Sequence, residues 1–344
     1  MTIVTLKDVK PNHKSPPIVS LGSYLAEKST QNLIETAQDV EKALDTCGAF
    51  YLVEHGLDAE KCDKVLRDLK TFFELPLNEK KIYELKDQNA GRGYIPFATQ
   101  NGNAYSGRAG FPNDLFERFH FGSTKPLISG FVQAPGDYIE GWAPNVYAPC
   151  FRDSFIAYYE TLHDMAFWLK KIFSTALGEQ EDFLEKMTNR ANPMVKANYY
   201  PVCERLGPEQ PRLAEHIDAV PITIMLMDNT VNGLCAQNVL QEWMYINPPS
   251  NALLVLVGEC MAILTNDHWP ATPHYVPYPE DRSQMTARVS LPYFMQMNRH
   301  SKLGSLAKFV DPEKKQDKRY EPTTYHRIMH ERMRRLVETT VEKF

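Results

Sequence analysis

The sequence predicts an α+β protein whose mainly β core is a jelly roll, preceded by a helical N-terminal region and closed by a C-terminal helix. Three observations predict it. Apolar residues recur at helical spacing through the first half. Near residue 193 the texture changes to short apolar strands split by turns, as in VKANYYP, PITIMLM, NALLVLV and RVSLPYFMQM. Charged residues then dominate 312–335, and 322–342 reads as a last surface helix. Strands of this length and spacing suit a jelly roll better than a parallel sheet. With no GxGxxG or P-loop in the sequence, a nucleotide-binding fold has no support.

The elements follow in order. Residues 1–17 are polar and Pro-containing, a loose lead-in. Residues 31–46 place Leu33, Ile34, Ala37, Val40, Ala43 and Leu44 on one helical face, and Gly48 supplies the stop. AFYLV at 49–53 is a short buried strand. A second amphipathic helix spans about 58–74, with Cys62, Val65, Leu66, Leu69, Phe72 and Phe73 inward. Residues 88–113, rich in Gly, Asn and Pro with aromatics, form a long loop suited to covering a site. A longer helix at about 150–178 packs Phe155, Tyr158, Tyr159, Leu162, Ala166 and Leu169. The expected division is a mostly helical region at 1–180, the β core at 181–300 and a helical segment at 301–344, together one compact unit.

Composition narrows the function. Of 344 residues, 43% are hydrophobic and 24% charged, which excludes a wholly disordered chain. The net charge of −5, from 38 Lys+Arg against 43 Asp+Glu, offers no footprint for nucleic acid or an anionic membrane. No apolar run approaches the ~18 residues of a membrane span. The six cysteines form no CxxC pair and read as reduced, buried thiols. The N-terminus lacks the apolar stretch of a secretory signal. Together these read as a cytoplasmic protein acting on a small molecule.

The chemistry begins at His216-Ile217-Asp218. In a strand, residues i and i+2 face one side, so an imidazole and a carboxylate would point into one space. An isolated HxD also suits a surface pair at a strand start. A third ligand must come from downstream. His274 follows the apolar strand NALLVLV, with His268 as its rival. Two histidines and a carboxylate with open positions favour non-haem Fe(II), though Zn would accept the same set. Arg288 and Ser290, again i and i+2, offer a guanidinium and a hydroxyl to a carboxylate. The plainer reading is an edge-strand arginine reaching solvent, since Pro292 hints at an edge. Asn198 and Tyr200 alternate onto one face and offer an amide and a phenol.

Taken together, these motifs resemble the isopenicillin N synthase-like 2-oxoglutarate/iron(II)-dependent dioxygenases, whose core is a double-stranded β-helix. The resemblance covers almost the whole chain. It runs through PIVSLGSYL to CGAFYLVEHG at 17–56 and DLFERFHFG at 114–122. NYYP at 198–201, HID at 216–218 and GLCAQN to EWMYINP at 233–248 continue it. LTNDHWPATPHYV at 264–276 and RVS at 288–290 complete the order. Each piece is weak, and the ordered set is highly specific.

The resemblance implies that His216, Asp218 and His274 ligate iron. It implies that Arg288 and Ser290 clamp the distal carboxylate of 2-oxoglutarate, with Asn198 and Tyr200 touching the same cosubstrate. Phe119, Phe121, Lys196, Phe294 and Gln296 map to substrate-pocket positions. The implied reaction consumes O2 and 2-oxoglutarate, releases succinate and CO2, admits ascorbate as a reductant, and oxidises a small metabolite, an amino-acid derivative among the options. Hydroxylation, desaturation and oxidative ring closure all belong to the family's range. Three departures stand out: Asp267 where the family usually has glycine, Tyr275 where it usually has arginine, and a His274–Arg288 gap of 14 residues, which an insertion at Tyr278–Met285 explains. Two rivals accompany this reading: an oxidase of the same fold that uses no 2-oxoglutarate, and a catalytically silent small-molecule binder.

Overall fold

The computed structural model describes residues 14–84, 92–124, 145–207, 210–311, 313 and 317–341, without the side chains of 333 and 336–341. The polar lead-in through residue 13 and the start of the 88–113 loop lie outside the described residues. The first part of the chain runs β1 (Ile18–Ser20), α1 (Gly22–Ala26), α2 (Thr30–Thr46), β2 (Ala49–Val53), α3 (Ala59–Phe73), α4 (Leu77–Lys80), β3 (Gly93–Ile95), α5 (Gly102–Tyr105), β4 (Glu117–Phe121), α6 (Arg152–Ala176) and α7 (Phe183–Thr188). Strands β5 (Met194–Tyr200), β6 (Leu213–His216), β7 (Ile222–Met227), β8 (Cys235–Gln237), β9 (Trp243–Tyr245) and β10 (Leu253–Val257) follow. The chain then forms α8 (Glu259–Leu264), β11 (His274–Val276), β12 (Arg288–Phe294), β13 (Lys302–Leu303), β14 (Thr323–Thr324) and α9 (Tyr325–Val341).

Local chemistry sets the helix ends. The Ser29 hydroxyl accepts from the Asn32 N–H to cap α2, and the Asp58 carboxylate accepts from the Lys61 N–H to cap α3. Gly48, at φ +77°, turns the chain out of α2 into β2. The buried faces of α2 and α3 are the ones their spacing indicates, Leu33–Leu44 and Cys62–Phe73.

Two sheets carry the fold. The large one has the order β1-β2-β10-β7-β12-β5-β4-β3, and the small one β6-β11-β8-β9. Every pairing in both is antiparallel except β1 with β2. Four of the large sheet's strands precede residue 181, more β structure than a mostly helical 1–180 region anticipates. Because side chains alternate, the large sheet has two apolar faces. Phe119, Phe121, Val195, Ala197, Ile224, Leu226, Val289 and Leu291 join the core under α2, α3 and α6. Tyr200, Met225, Met227 and Leu254 join Leu213, Ala236, Met244 and Val276 of the small sheet in a second core between the sheets. The two-sheet enclosure is the expected jelly roll.

Strand β12 is central, flanked by β5 and β7, not at an edge. Its Pro292 is opposed only by Met225 of β7, with β5 pairing interrupted at 291–292, which accommodates the missing N–H. Arg288 and Ser290 therefore open into the interior rather than toward solvent.

Candidate active site

The site forms where β6 and β11 meet. His216 and His274 are direct cross-strand partners, with ring centroids 4.3 Å apart. The register shifts here: Val276 pairs with Leu213 and His274 with His216, so three residue steps on β6 match two on β11. This bulge keeps both pairs on one face, because cross-strand partners share a face and positions 274 and 276 share theirs. Without it, Leu213 and His216, an odd number of steps apart, would face opposite ways.

Asp218 lies two residues beyond the end of β6, in the loop to β7, rather than on the strand that the i, i+2 argument supposes. Tertiary contacts hold it. The Thr223 hydroxyl of β7 donates to its Oδ2 at 2.6 Å, and the Glu259 N–H donates to its main-chain carbonyl at 2.8 Å. Gly258 permits this approach: a Cβ there would lie 2.0 Å from the Val220 carbonyl oxygen and 2.8 Å from that of Asp218.

The three side chains converge. His216 Nε2 stands 3.8 Å from Asp218 Oδ1, and His274 Nε2 stands 3.8 Å from Asp218 Oδ2. All candidate ligand atoms lie within 4.8 Å of one another, the one such His/Cys/Asp/Glu group among the described residues. The Nδ1 atoms are turned away: His216 Nδ1 lies 2.8 Å from the Ala214 carbonyl and His274 Nδ1 3.1 Å from that of Thr272. A proton on each Nδ1, donated to its carbonyl, leaves each Nε2 lone pair facing the shared space. Burial, then the neighbouring His274, pushes His216 down to about 3, so its ring is neutral. Burial opposes ionisation of Asp218, but His274, His216 and the Thr223 hydroxyl hold its carboxyl below the usual range. A neutral His216 imidazole, a second imidazole whose Nε2 faces the same space, and an ionised carboxylate make up a donor set for a divalent cation. The rival His268 is turned elsewhere, 3.0 Å from Asp45 of α2.

Beside this group, Arg288 and Ser290 of β12 pair with Tyr200 and Asn198 of β5. Arg288 is 1% exposed, yet both terminal guanidinium nitrogens lack a hydrogen-bond partner among the described residues. The Tyr200 ring lies under it, 5.2 Å from the guanidinium carbon, and the Asn198 side-chain oxygen is likewise unpartnered. A buried guanidinium with two idle donors is costly unless an anion completes it, so the residues present fit a carboxylate. Arg282, at the expected insertion, is exposed and pairs with Glu204 at 2.8 Å.

The pocket positions divide. Phe119 and Phe121 stack in the core among Phe151, Phe155 and Phe72, on the sheet face away from the histidines. This corrects the expectation that they line the pocket; strand alternation presents Arg118 and His120 there instead. Lys196 shares the inner face, its ammonium 4.8 Å from the Phe294 ring centre. Gln296 is buried and accepts from the Tyr325 hydroxyl at the start of α9. The loop expected to cover a site docks on β6: Arg108 donates to the carbonyl of Glu215, the residue before His216. Sequence reading missed Thr223 and Gly258, neither of which stands in a motif of its own, and it read Arg118, inside DLFERFHFG, as a solvated surface charge rather than a half-buried residue of the inner sheet face.

Comparison with known proteins agrees with this geometry. Residues 16–145 match the family model of the non-haem dioxygenase in morphine synthesis N-terminal region, and residues 191–297 match that of the 2OG-Fe(II) oxygenase superfamily. Validamycin A dioxygenase of Streptomyces hygroscopicus subsp. limoneus is 27% identical over 85% of this chain and 80% of its own. Isopenicillin N synthase of Amycolatopsis lactamdurans is 25% identical over 86% of this chain and 88% of its own. A crystal structure of a 2OG-Fe(II) oxygenase family protein from Caulobacter crescentus superposes with a TM-score of 0.73 at 25% identity, covering 94% of this chain and 99% of that one. A full-length Neurospora crassa protein, solved in complex with alpha-KG, shares the fold, with a TM-score of 0.75 at 19% identity over 94% of this chain and 96% of its own. The chain belongs to the 2-oxoglutarate/iron(II)-dependent dioxygenases, oxidoreductases whose cofactor is ferrous iron and whose cosubstrates are 2-oxoglutarate and O2.

Proposed function

We propose that His216, Asp218 and His274 hold the iron, that Arg288 and Ser290 clamp the distal carboxylate of 2-oxoglutarate, and that Asn198 and Tyr200 complete the cosubstrate pocket. The observation that carries the assignment is the pair of idle guanidinium nitrogens on buried Arg288, held on β12 between β5 and β7. When bound, iron with 2-oxoglutarate and O2 supplies the oxidising equivalent, and the cosubstrate leaves as succinate and CO2.

The chain's own residues perform four tasks in this reading. Both histidines present Nε2 because their Nδ1–H groups are engaged by Ala214 and Thr272. Thr223 orients the Asp218 carboxylate. Arg288 and Ser290 fix one end of the cosubstrate, and the Tyr200 ring shields the guanidinium from water. The segment 96–113, which includes α5, and helix α9 close the site; α9 is anchored to α8 by Arg332 and Glu259, 2.8 and 3.1 Å apart at two contacts.

The substrate in this reading is a small metabolite, an amino-acid derivative among the options, that is hydroxylated, desaturated or cyclised. Support comes from the relatives' names, validamycin A dioxygenase and isopenicillin N synthase, and from the Neurospora crassa protein, which was also solved with thymine. The free state of all six cysteines supports a reducing, cytoplasmic setting. The segments 1–180, 181–300 and 301–344 act as one unit, since the site draws on strands before and after residue 181.

Anaerobic titration with Fe(II) and then 2-oxoglutarate tests the assignment. A visible charge-transfer band in the wild type, lost in His216→Ala and Asp218→Ala, is expected. A band that survives either substitution sinks the ligand set. Succinate release from Arg288→Ala at the wild-type rate and the wild-type KM for 2-oxoglutarate sinks the clamp.

A further inference from the structure

Strand β4 carries a feature that the iron and cosubstrate assignments leave unused. Arg118 and His120 share its inner face, and the register sets them against Asn198 and Lys196 of β5. The four side chains form a two-by-two block on adjacent strands, next to Tyr200 and Ser290. Arg118 rests on the Phe116 ring at 4.0 Å, and Lys196 on the Phe294 ring at 4.8 Å. Neither cation has a hydrogen bond or an ion pair among the described residues. The Nε2 of buried His120 and the Oδ1 of Asn198 are also unpartnered. Positive charge is thus held against aromatic rings at the inner wall, with no acid among the described residues in direct contact with it.

The block is electrostatically continuous with the metal group. Asp218 favours the charged form of both cations, Asp114 adds to this at Arg118, and Arg118 disfavours protonation of His216. Burial, followed by the like charge of Arg118, brings Lys196 down to about 7. Burial, then Lys196, Arg118 and Arg92, keeps His120 neutral. Arg118 and Lys196 are half-buried, and like charges this close raise one another's cost, which an anion between them relieves.

We propose that Arg118 and Lys196, with the His120 ring beside them, bind an anionic group of the molecule that is oxidised. The substrate class is then an anionic small molecule, carrying a carboxylate or a phosphate a short distance from the carbon that reacts. The distal carboxylate of 2-oxoglutarate is taken by Arg288, so this block serves a second acidic group. The inference rests on the oxygenase reading above and adds the substrate's charge to it.

The test uses full-length protein loaded with Mn(II) and the inert cosubstrate analogue N-oxalylglycine, so that both assigned sites are filled. Tricarballylate, its neutral trimethyl ester and glycerol 2-phosphate are titrated by calorimetry. The expected result is binding of tricarballylate or glycerol 2-phosphate, which distinguishes the two anion types, with no binding of the ester. Arg118→Gln and Lys196→Met should each weaken that binding at least tenfold. Affinity for N-oxalylglycine should stay within about threefold of wild type. A readout without any ligand accompanies this: Lys196→Met should raise the melting temperature of the empty protein, because it removes a charge that the neighbouring Arg118 disfavours. Equal binding of ester and acid, no binding of either anion, unaltered affinity in both variants, or a lowered melting temperature in Lys196→Met would each overturn the proposal. Failure of the oxygenase reading shows differently, as loss of the Fe(II)–2-oxoglutarate band in the wild type.

Discussion

Gly233 lies so close to Arg288 that a Cβ at position 233 would stand 2.7 Å from the arginine Nε and 2.8 Å from its Cδ. The backbone before β8 thus forms a wall that fixes where the guanidinium points. Gly233→Ala should push Arg288 out of line and weaken 2-oxoglutarate binding by about tenfold, from ~1–3 kcal/mol of overpacking. Metal affinity should be unchanged. Calorimetric titration of each ligand into the variant checks both halves, and an unchanged 2-oxoglutarate affinity would show that Arg288 has room to give.

Arg288 itself should behave oppositely in stability and in binding. Its donors are idle in the empty protein, so Arg288→Met should keep or raise the melting temperature when 2-oxoglutarate is absent. The KM for 2-oxoglutarate should rise by an amount equivalent to ~2–5 kcal/mol, the cost of truncating one partner of a buried charge pair. A thermal-shift series with and without cosubstrate separates the two effects.

Thr223 touches no metal, yet its hydroxyl holds Asp218 Oδ2 at 2.6 Å. Thr223→Val conserves shape and removes that donor. Metal affinity should fall by about 10–100-fold, the usual range for a partner of a metal ligand. Metal titration followed by tryptophan fluorescence or calorimetry would read it. A loss of folding with no change in affinity would make Thr223 a packing residue only.

Asp114 should give the fold a pH dependence. Its carboxylate accepts from the Gly102 N–H at 2.6 Å and the Ala214 N–H at 2.9 Å, tying the site-covering loop to β6. Burial lifts it to about 6 despite those bonds. A carboxyl whose folded pKa exceeds its unfolded value of about 3.8 contributes most when protonated, below about pH 4. Its contribution is lost as pH rises through about 6, by ~3 kcal/mol. Asp114→Asn does not titrate, so the stability of the wild type relative to it should be greatest near pH 4, where the carboxyl is protonated. That relative stability should fall toward pH 7, as measured by urea unfolding. A relative stability that grows with pH would reverse the sign and exclude burial as the governing cause.

Much of this architecture was legible before any coordinates. Helices α2, α3 and α6 have the periodicity that defines them, and β2, β5, β7, β10 and β12 are short apolar runs bounded by turns. Asp267, the departure from the family's glycine, is legible only in retrospect: it sits at φ +63°, a left-handed conformation that glycine adopts freely and aspartate tolerates. The family resemblance puts Phe119 and Phe121 at pocket positions, but family position alone does not tell which face of β4 a residue occupies. The stacking of Phe121 on Phe155, with centroids 3.8 Å apart, decides it.

The linear order of residues, by itself, determined the classes of element and the chemical types at 216, 218, 274 and 288, because periodicity and side-chain chemistry are local properties. Only tertiary structure decided how they meet. The bulge between β6 and β11 returns His216 to the inner face, and Thr223 and Gly258 position an aspartate that lies beyond its strand. Register and burial are relations between distant segments, which spacing along one chain does not encode.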